Sequence, residues 1–184
     1  MSIFYCAYFI KNGAAHEESL RKRFGKAVMM LDSAWLTCGF DDRAPYGAFE
    51  EGTYFTKELS AQFGEVIFLC TDSRNNQLEY EHSLNYGILR KLSLIFDGCQ
   101  SAWEWVEGET EDWEAGSVFS AANFAKAQEM LSWEELSKEQ HRAKEEMLRQ
   151  LWERREYLLH ENWPPGDAGF DGVIRKHFGL KLSR

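Results

Sequence analysis

His82 comes nearest to a residue placed for chemistry. It stands between Glu81 and Ser83, and an imidazole beside a carboxylate and a hydroxyl is raw material for acid–base or nucleophilic catalysis. Members of such a site must converge in space, however, and strand neighbours point to opposite faces. Alternation over 78–84 puts Leu78, Tyr80, His82 and Leu84 on one face and Glu79, Glu81 and Ser83 on a wet one. His82 therefore reads as a packed histidine. With Tyr80 and Trp105 it outlines a possible pocket between the sheet and its helices.

The second concentration is acidic. Between Ser101 and Ala115 lie six acids (Glu104, Glu107, Glu109, Glu111, Asp112, Glu114), no base, and the tryptophans Trp103, Trp105 and Trp113. Aromatic side chains beside a charged rim are the composition of an interface. This picks out Trp103, Trp105, Glu107, Glu109, Glu111, Asp112 and Trp113 as a partner-binding surface. The plain alternative is that the tryptophans pack on the sheet while the acids form a solvated edge that blocks strand-to-strand aggregation. The cluster holds no nucleophile, so no catalytic residue is assigned.

Metal and cofactor chemistry finds little footing. Asp41 and Asp42 are neighbouring loop carboxylates, and His141 and His160 are too far apart on one helix to share an ion. Cys6, Cys38, Cys70 and Cys99 form no CxxC pair. Cys6 and Cys70 read as small hydrophobes in apolar strands, which suggests a reduced, cytoplasmic protein. No Walker, Rossmann or nucleophile-elbow pattern occurs. We expect no metal and no cofactor.

Charge and length narrow the classes further. The 184 residues carry a formal charge of −9, with 44% apolar and 15% aromatic residues. That composition supports a substantial core. The negative balance disfavours direct nucleic-acid binding and suits a basic protein partner. No apolar run approaches the ~18 residues of a membrane span.

These residues need a scaffold. Strands are expected over 2–10, 66–70, 78–84, 88–96 and from Trp103, with turns at Asn85–Gly87 and Asp97–Gly98, ending in an acidic, tryptophan-rich hairpin turned near Gly108. Helices are expected over 15–31 (Leu20, Phe24, Val28 and Leu31, continued by Trp35), over 54–63, over 120–131 and over 167–178. Residues 37–52 read as a long loop. A capping box at Ser132–Glu135 would start a helix over 133–160. At 1.5 Å per residue its 28 residues make a rod of ~42 Å, long enough to project and pair with a second copy.

The fold class is therefore α+β: an antiparallel sheet of about five strands with helices packed on one face and a helical C-terminal part. Residues 1–119 form a sheet-containing lobe and 120–184 a helical lobe, together one compact domain.

The run Tyr80-Glu81-His82, the turn Asn85–Gly87 and the stretch WEWVEGETEDWE resemble a sheet-and-hairpin pattern in a family of uncharacterised bacterial proteins. The resemblance covers residues 65–119. It implies a bacterial origin and a shared hairpin, and it brings no activity. The leading expectation is a cytoplasmic interaction module of inhibitor or immunity type that binds a basic partner, not an enzyme. A small-molecule-binding protein or enzyme, and a dimeric structural protein built on the helix 133–160, stand as alternatives.

Overall fold

The computed structural model describes residues 4–24, 34–41, 55–96, 98 and 100–182. Its frame is a six-stranded sheet in the order β2-β1-β3-β4-β5-β6. The strands are β1 (Phe4–Lys11), β2 (Trp35–Asp41), β3 (Glu65–Asp72), β4 (Gln77–Leu84), β5 (Gly87–Phe96) and β6 (Ser101–Gly108), and every pairing is antiparallel. The helices are α1 (Glu17–Phe24), α2 (Thr56–Phe63), α3 (Asp112–Gly116), α4 (Ala121–Ser132), α5 (Lys138–Arg154) and α6 (Phe170–Phe178). The class is α+β, as the patterning implied, with one more strand.

That strand is β2. It takes Trp35 off the expected helical stripe and the first residues out of the expected loop. Leu36 and Cys38 pack on one face while Trp35 and Thr37 point to the other. Both faces are covered, so the segment lacks the alternation that marks a half-wet strand. The helix expected over 15–31 is described as α1 after a short 3-10 turn at Gly13–His16. Gly25, Val28, Leu31, Asp42, the rest of the loop, Asp97 and Cys99 lie outside the described residues.

Helices lie on both faces of the sheet rather than one. On the first face, Tyr5, Phe9, Ile67, Leu69, Tyr80, Leu92 and Trp103 share a core with Trp113 of α3, with Val118 and Phe119, and with Phe170 and Ile174 of α6. On the second, Ile10, Leu36, Cys38 and Val66 pack against Leu20 of α1 and Leu59 and Phe63 of α2. α6 thus belongs to the sheet's core. Only α4 and α5 build a cluster of their own, from Ala127, Leu131, Leu148, Leu151 and Trp163.

The long helix is shorter than its periodicity implied. The capping box that starts α5 is Ser137–Gln140, five residues past Ser132. The helix stops at Arg155, which adopts a left-handed conformation (φ 54°), and Glu156 N–H closes onto the Leu151 carbonyl at 2.9 Å. Seventeen residues span only ~25 Å. Leu148 and Leu151, with Met147 and Trp152 partly buried beside them, pack with Ala127 and Leu131 of α4.

Cys6 and Cys70 correct a second expectation. They are register partners across β1 and β3, with Cα atoms 4.0 Å apart, and are joined as a disulfide. Cys38 is free and buried, and burial pushes its thiol up to about 12. The premise that every cysteine is reduced is therefore withdrawn. No helix among the described residues is long and apolar enough to cross a membrane.

Candidate functional site

The acidic segment is not a hairpin. It is the edge strand β6, a sharp turn and the short helix α3. Gly108 makes the turn possible. Its φ is +85°, and a Cβ there would lie 2.0 Å from the Leu89 carbonyl oxygen.

Two of the six acids turn inward and fasten the segment. Glu114 is fully buried and accepts from Arg90 through both oxygens, Nε to Oε1 at 2.9 Å and Nη2 to Oε2 at 2.7 Å. It also accepts from the Glu111 backbone N–H at 2.8 Å and from the Tyr157 hydroxyl. Arg90 Nη1 donates to the Glu107 and Gly108 carbonyls, at 3.3 and 2.8 Å. A buried charge pair survives only with this degree of saturation. Burial, then the Glu114 charge, raises the Tyr157 phenol well above its ordinary range.

Glu111 is the second anchor. Its carboxylate accepts from the Tyr80 hydroxyl at 2.5 Å, from Trp113 Nε1 at 2.7 Å and from His82 Nδ1 at 2.6 Å. Burial would raise this carboxyl, but the bonds from His82 and Tyr80 prevail and hold it below the usual range. An ionised carboxylate only accepts, which places a proton on His82 Nδ1. His82 Nε2 lies 3.3 Å from Glu65 Oε1 without forming a hydrogen bond. Lys11 pairs with the other oxygen of Glu65 at 2.7 Å. The histidine is packed, as its strand position implied, and the groups around it make a structural lock.

The remaining site residues divide by face. Trp103 and Trp113 are core side chains that a partner cannot touch. Trp105 is 50% exposed. Simple alternation puts Trp103 and Trp105 on the same face. A β-bulge intervenes: Trp103 pairs with Leu94, but Trp105 pairs with Ser93, on the opposite side. The pocket outlined by Tyr80, His82 and Trp105 is thus not formed, because the first two face the α3 side and the third does not. Glu107, Glu109 and Asp112 are exposed.

Trp105 instead borders a polar cluster that sequence reasoning missed. Lys91 Nζ sits 4.5 Å from its ring centroid and 3.3 Å from Glu81 Oε2. Glu81 also accepts from the Thr56 hydroxyl, Ser83 donates to Thr56 Oγ1 at 3.0 Å, and Ser93 donates to Glu79 Oε1 at 2.7 Å. Glu79, Glu81 and Ser83, expected on a wet face, are buried. The available signal was Arg90-Lys91 inside the apolar strand GILRKLSLIF: two cations there require buried acids on both faces.

The outer edge of β6 is covered only at its start. Trp103 N–H donates to the Glu161 carbonyl at 3.0 Å, and its own carbonyl accepts from His160 N–H at 2.8 Å. Past that point no strand among the described residues pairs with this edge. A cleft of about 620 Å³ runs on between Val106, Gly108, Glu109 and Thr110 on one side and Arg155, Glu156 and Leu159 on the other, with Arg90 and Tyr157 also lining it. Among the described residues no group of three or more His, Cys, Asp or Glu side chains could hold a metal ion.

Comparison with protein-family models, with curated proteins and with solved structures finds no match for this chain.

Proposed function

We propose that this chain is a bacterial interaction module that binds a basic protein partner along the outer edge of β6, as an inhibitor or immunity protein engages a basic toxin. The observation that carries this reading is the edge past Trp103, with which no strand among the described residues pairs, with Trp105 exposed beside it and the cleft running along it. An open edge with free backbone groups is a template for an added strand. Glu107, Glu109, Asp112 and Glu156 supply an acidic surround, and of the two arginines that line the cleft Arg90 is paired with Glu114 while Arg155 is exposed. Such a field speeds encounter with a basic partner and selects against an acidic one. The contact set narrows to Trp105, Glu107, Glu109 and Asp112, because Trp103, Glu111 and Trp113 are committed to the fold.

The test compares wild type with the Glu107→Lys/Glu109→Lys double variant in affinity capture at low and moderate salt. A basic partner bound stoichiometrically by wild type, released as salt rises and absent from the variant, supports the reading. A photo-crosslinker at position 105 should join that same partner. Full retention by the double variant would sink it.

A second reading rests on the Lys91–Glu81–Ser93–Glu79 cluster. A few convergent polar groups in an otherwise apolar surround are the make-up of a small-molecule site. Loss of a bound metabolite, seen by native mass spectrometry, on Lys91→Met substitution would favour it. A protein that carries no small molecule would count against it.

A further inference from the structure

We infer that a separate cleft, between the C-terminal end of α4 and residues 161–163, binds an organic cation with an ammonium head group. The cleft has a volume of about 430 Å³ and is lined by Met130, Trp133, Glu134, Glu161, Asn162 and Trp163, with Gln100 at its margin. That volume suits a small ligand.

Trp133 is the first reason. It is 71% exposed, more than any other large hydrophobic side chain described. Leaving an indole open to water forgoes the gain of burying it. Its backbone is nevertheless fixed, because it caps α4 and donates its N–H to the Met130 carbonyl at 3.1 Å. The helix end therefore fixes the position from which the ring lines the cleft. Trp163 also lines the cleft but is buried in the cluster between α4 and α5, with its carbonyl accepting from Leu158 N–H at 2.8 Å, so it fixes the wall beside Trp133.

The charge around the rings is the second reason. Both ionisable groups lining the cleft are carboxylates, and no lysine or arginine lines it. Glu134 is paired with Lys144. Glu161 is held through its backbone bond to Trp103, while its exposed carboxylate has no side-chain partner among the described residues. An indole face attracts cations, and an unpaired carboxylate beside it adds attraction of the same sign. A neutral sugar could stack on the same indole and donate its hydroxyls to the carboxylate, but it carries no charge for the ring face and the carboxylate to attract.

The probe is choline, set against its neutral carbon isostere and against glucose, titrated into the full chain by calorimetry. Choline should bind saturably and more tightly than the isostere. Trp133→Ala should weaken choline by about fivefold or more, with partial recovery in Trp133→Phe. Glu161→Gln should weaken choline but not the isostere. Because Trp133 is mostly exposed, the alanine variant should keep the wild-type melting temperature. The Glu107→Lys/Glu109→Lys variant should bind choline unchanged, which separates this site from the β6 edge. Equal binding of choline and isostere, preference for glucose, no saturation, or an unaffected Trp133→Ala variant would each overturn the inference.

Discussion

Arg90 holds both oxygens of Glu114 from inside the protein, at 2.9 and 2.7 Å, and the same guanidinium reaches the Glu107 and Gly108 carbonyls. One buried cation therefore ties β5 to the end of β6 and to α3. Glu114→Gln leaves that cation without its counter-charge and should cost about 3–5 kcal/mol in urea unfolding. Arg90→Met combined with Glu114→Leu should cost less than the sum of the single changes. Strict additivity would show that the pair is not coupled.

Glu111 makes stability depend on pH at the acid end. Its folded carboxyl is held below the ordinary value of 4.5. A depressed folded value gives stability that is complete above the unfolded value and is lost as pH falls through the folded one. Asp72, also held low by Arg74 against the opposing effect of burial, acts in the same direction. Urea midpoints measured from pH 7 to pH 3 should fall below about 4.5 in wild type. Glu111→Gln should be less stable at pH 7 and show a shallower acid limb. An unchanged limb would remove Glu111 from this role.

Trp103 and Trp105 are two residues apart and should behave oppositely. Trp103→Ala opens the core and should cost about 3–5 kcal/mol. Trp105→Ala, at a half-exposed position beside Lys91, should cost clearly less, about 1 kcal/mol, while weakening partner capture. Thermal melts and capture on the same two proteins decide it. A large loss of stability in Trp105→Ala would place that ring in the fold rather than at an interface.

Gly108→Ala forces a Cβ against the Leu89 carbonyl at a positive φ. It should destabilise by more than about 1 kcal/mol. If it folds, it should perturb the tryptophan fluorescence around Trp105 and Trp113. A neutral effect would mean that the turn can be rebuilt.

Cys38 should resist alkylation in the native protein at pH 8, because burial shields its thiol and pushes it up to about 12. Cys6 and Cys70 should resist it until a reductant opens their bond. Peptide mass spectrometry before and after reduction and unfolding reads all three. Rapid native labelling of Cys38 would contradict its burial.

Where local chemistry fixes the answer, the sequence alone determined it. The run VIFLC at 66–70, the alternation over 78–84 and the Asn85–Gly87 turn define β3, β4 and the β4–β5 hairpin, because side-chain period and left-handed turn residues are local properties. Tertiary structure decided the rest. A bulge at Glu104, which leaves no mark in the residue types, sends Trp103 and Trp105 to opposite faces. The seam of α5 continues in the sequence past Arg155, yet the chain turns there, and the Tyr157 hydroxyl then reaches Glu114. Glu111 and Glu114 have the same composition signature as Glu107 and Glu109. Only the long-range partners His82, Tyr80, Arg90 and Tyr157 turn the first pair inward as anchors and leave the second pair on the surface. A carboxylate's burial depends on which donors the fold brings within 3 Å, and those donors are distant in sequence.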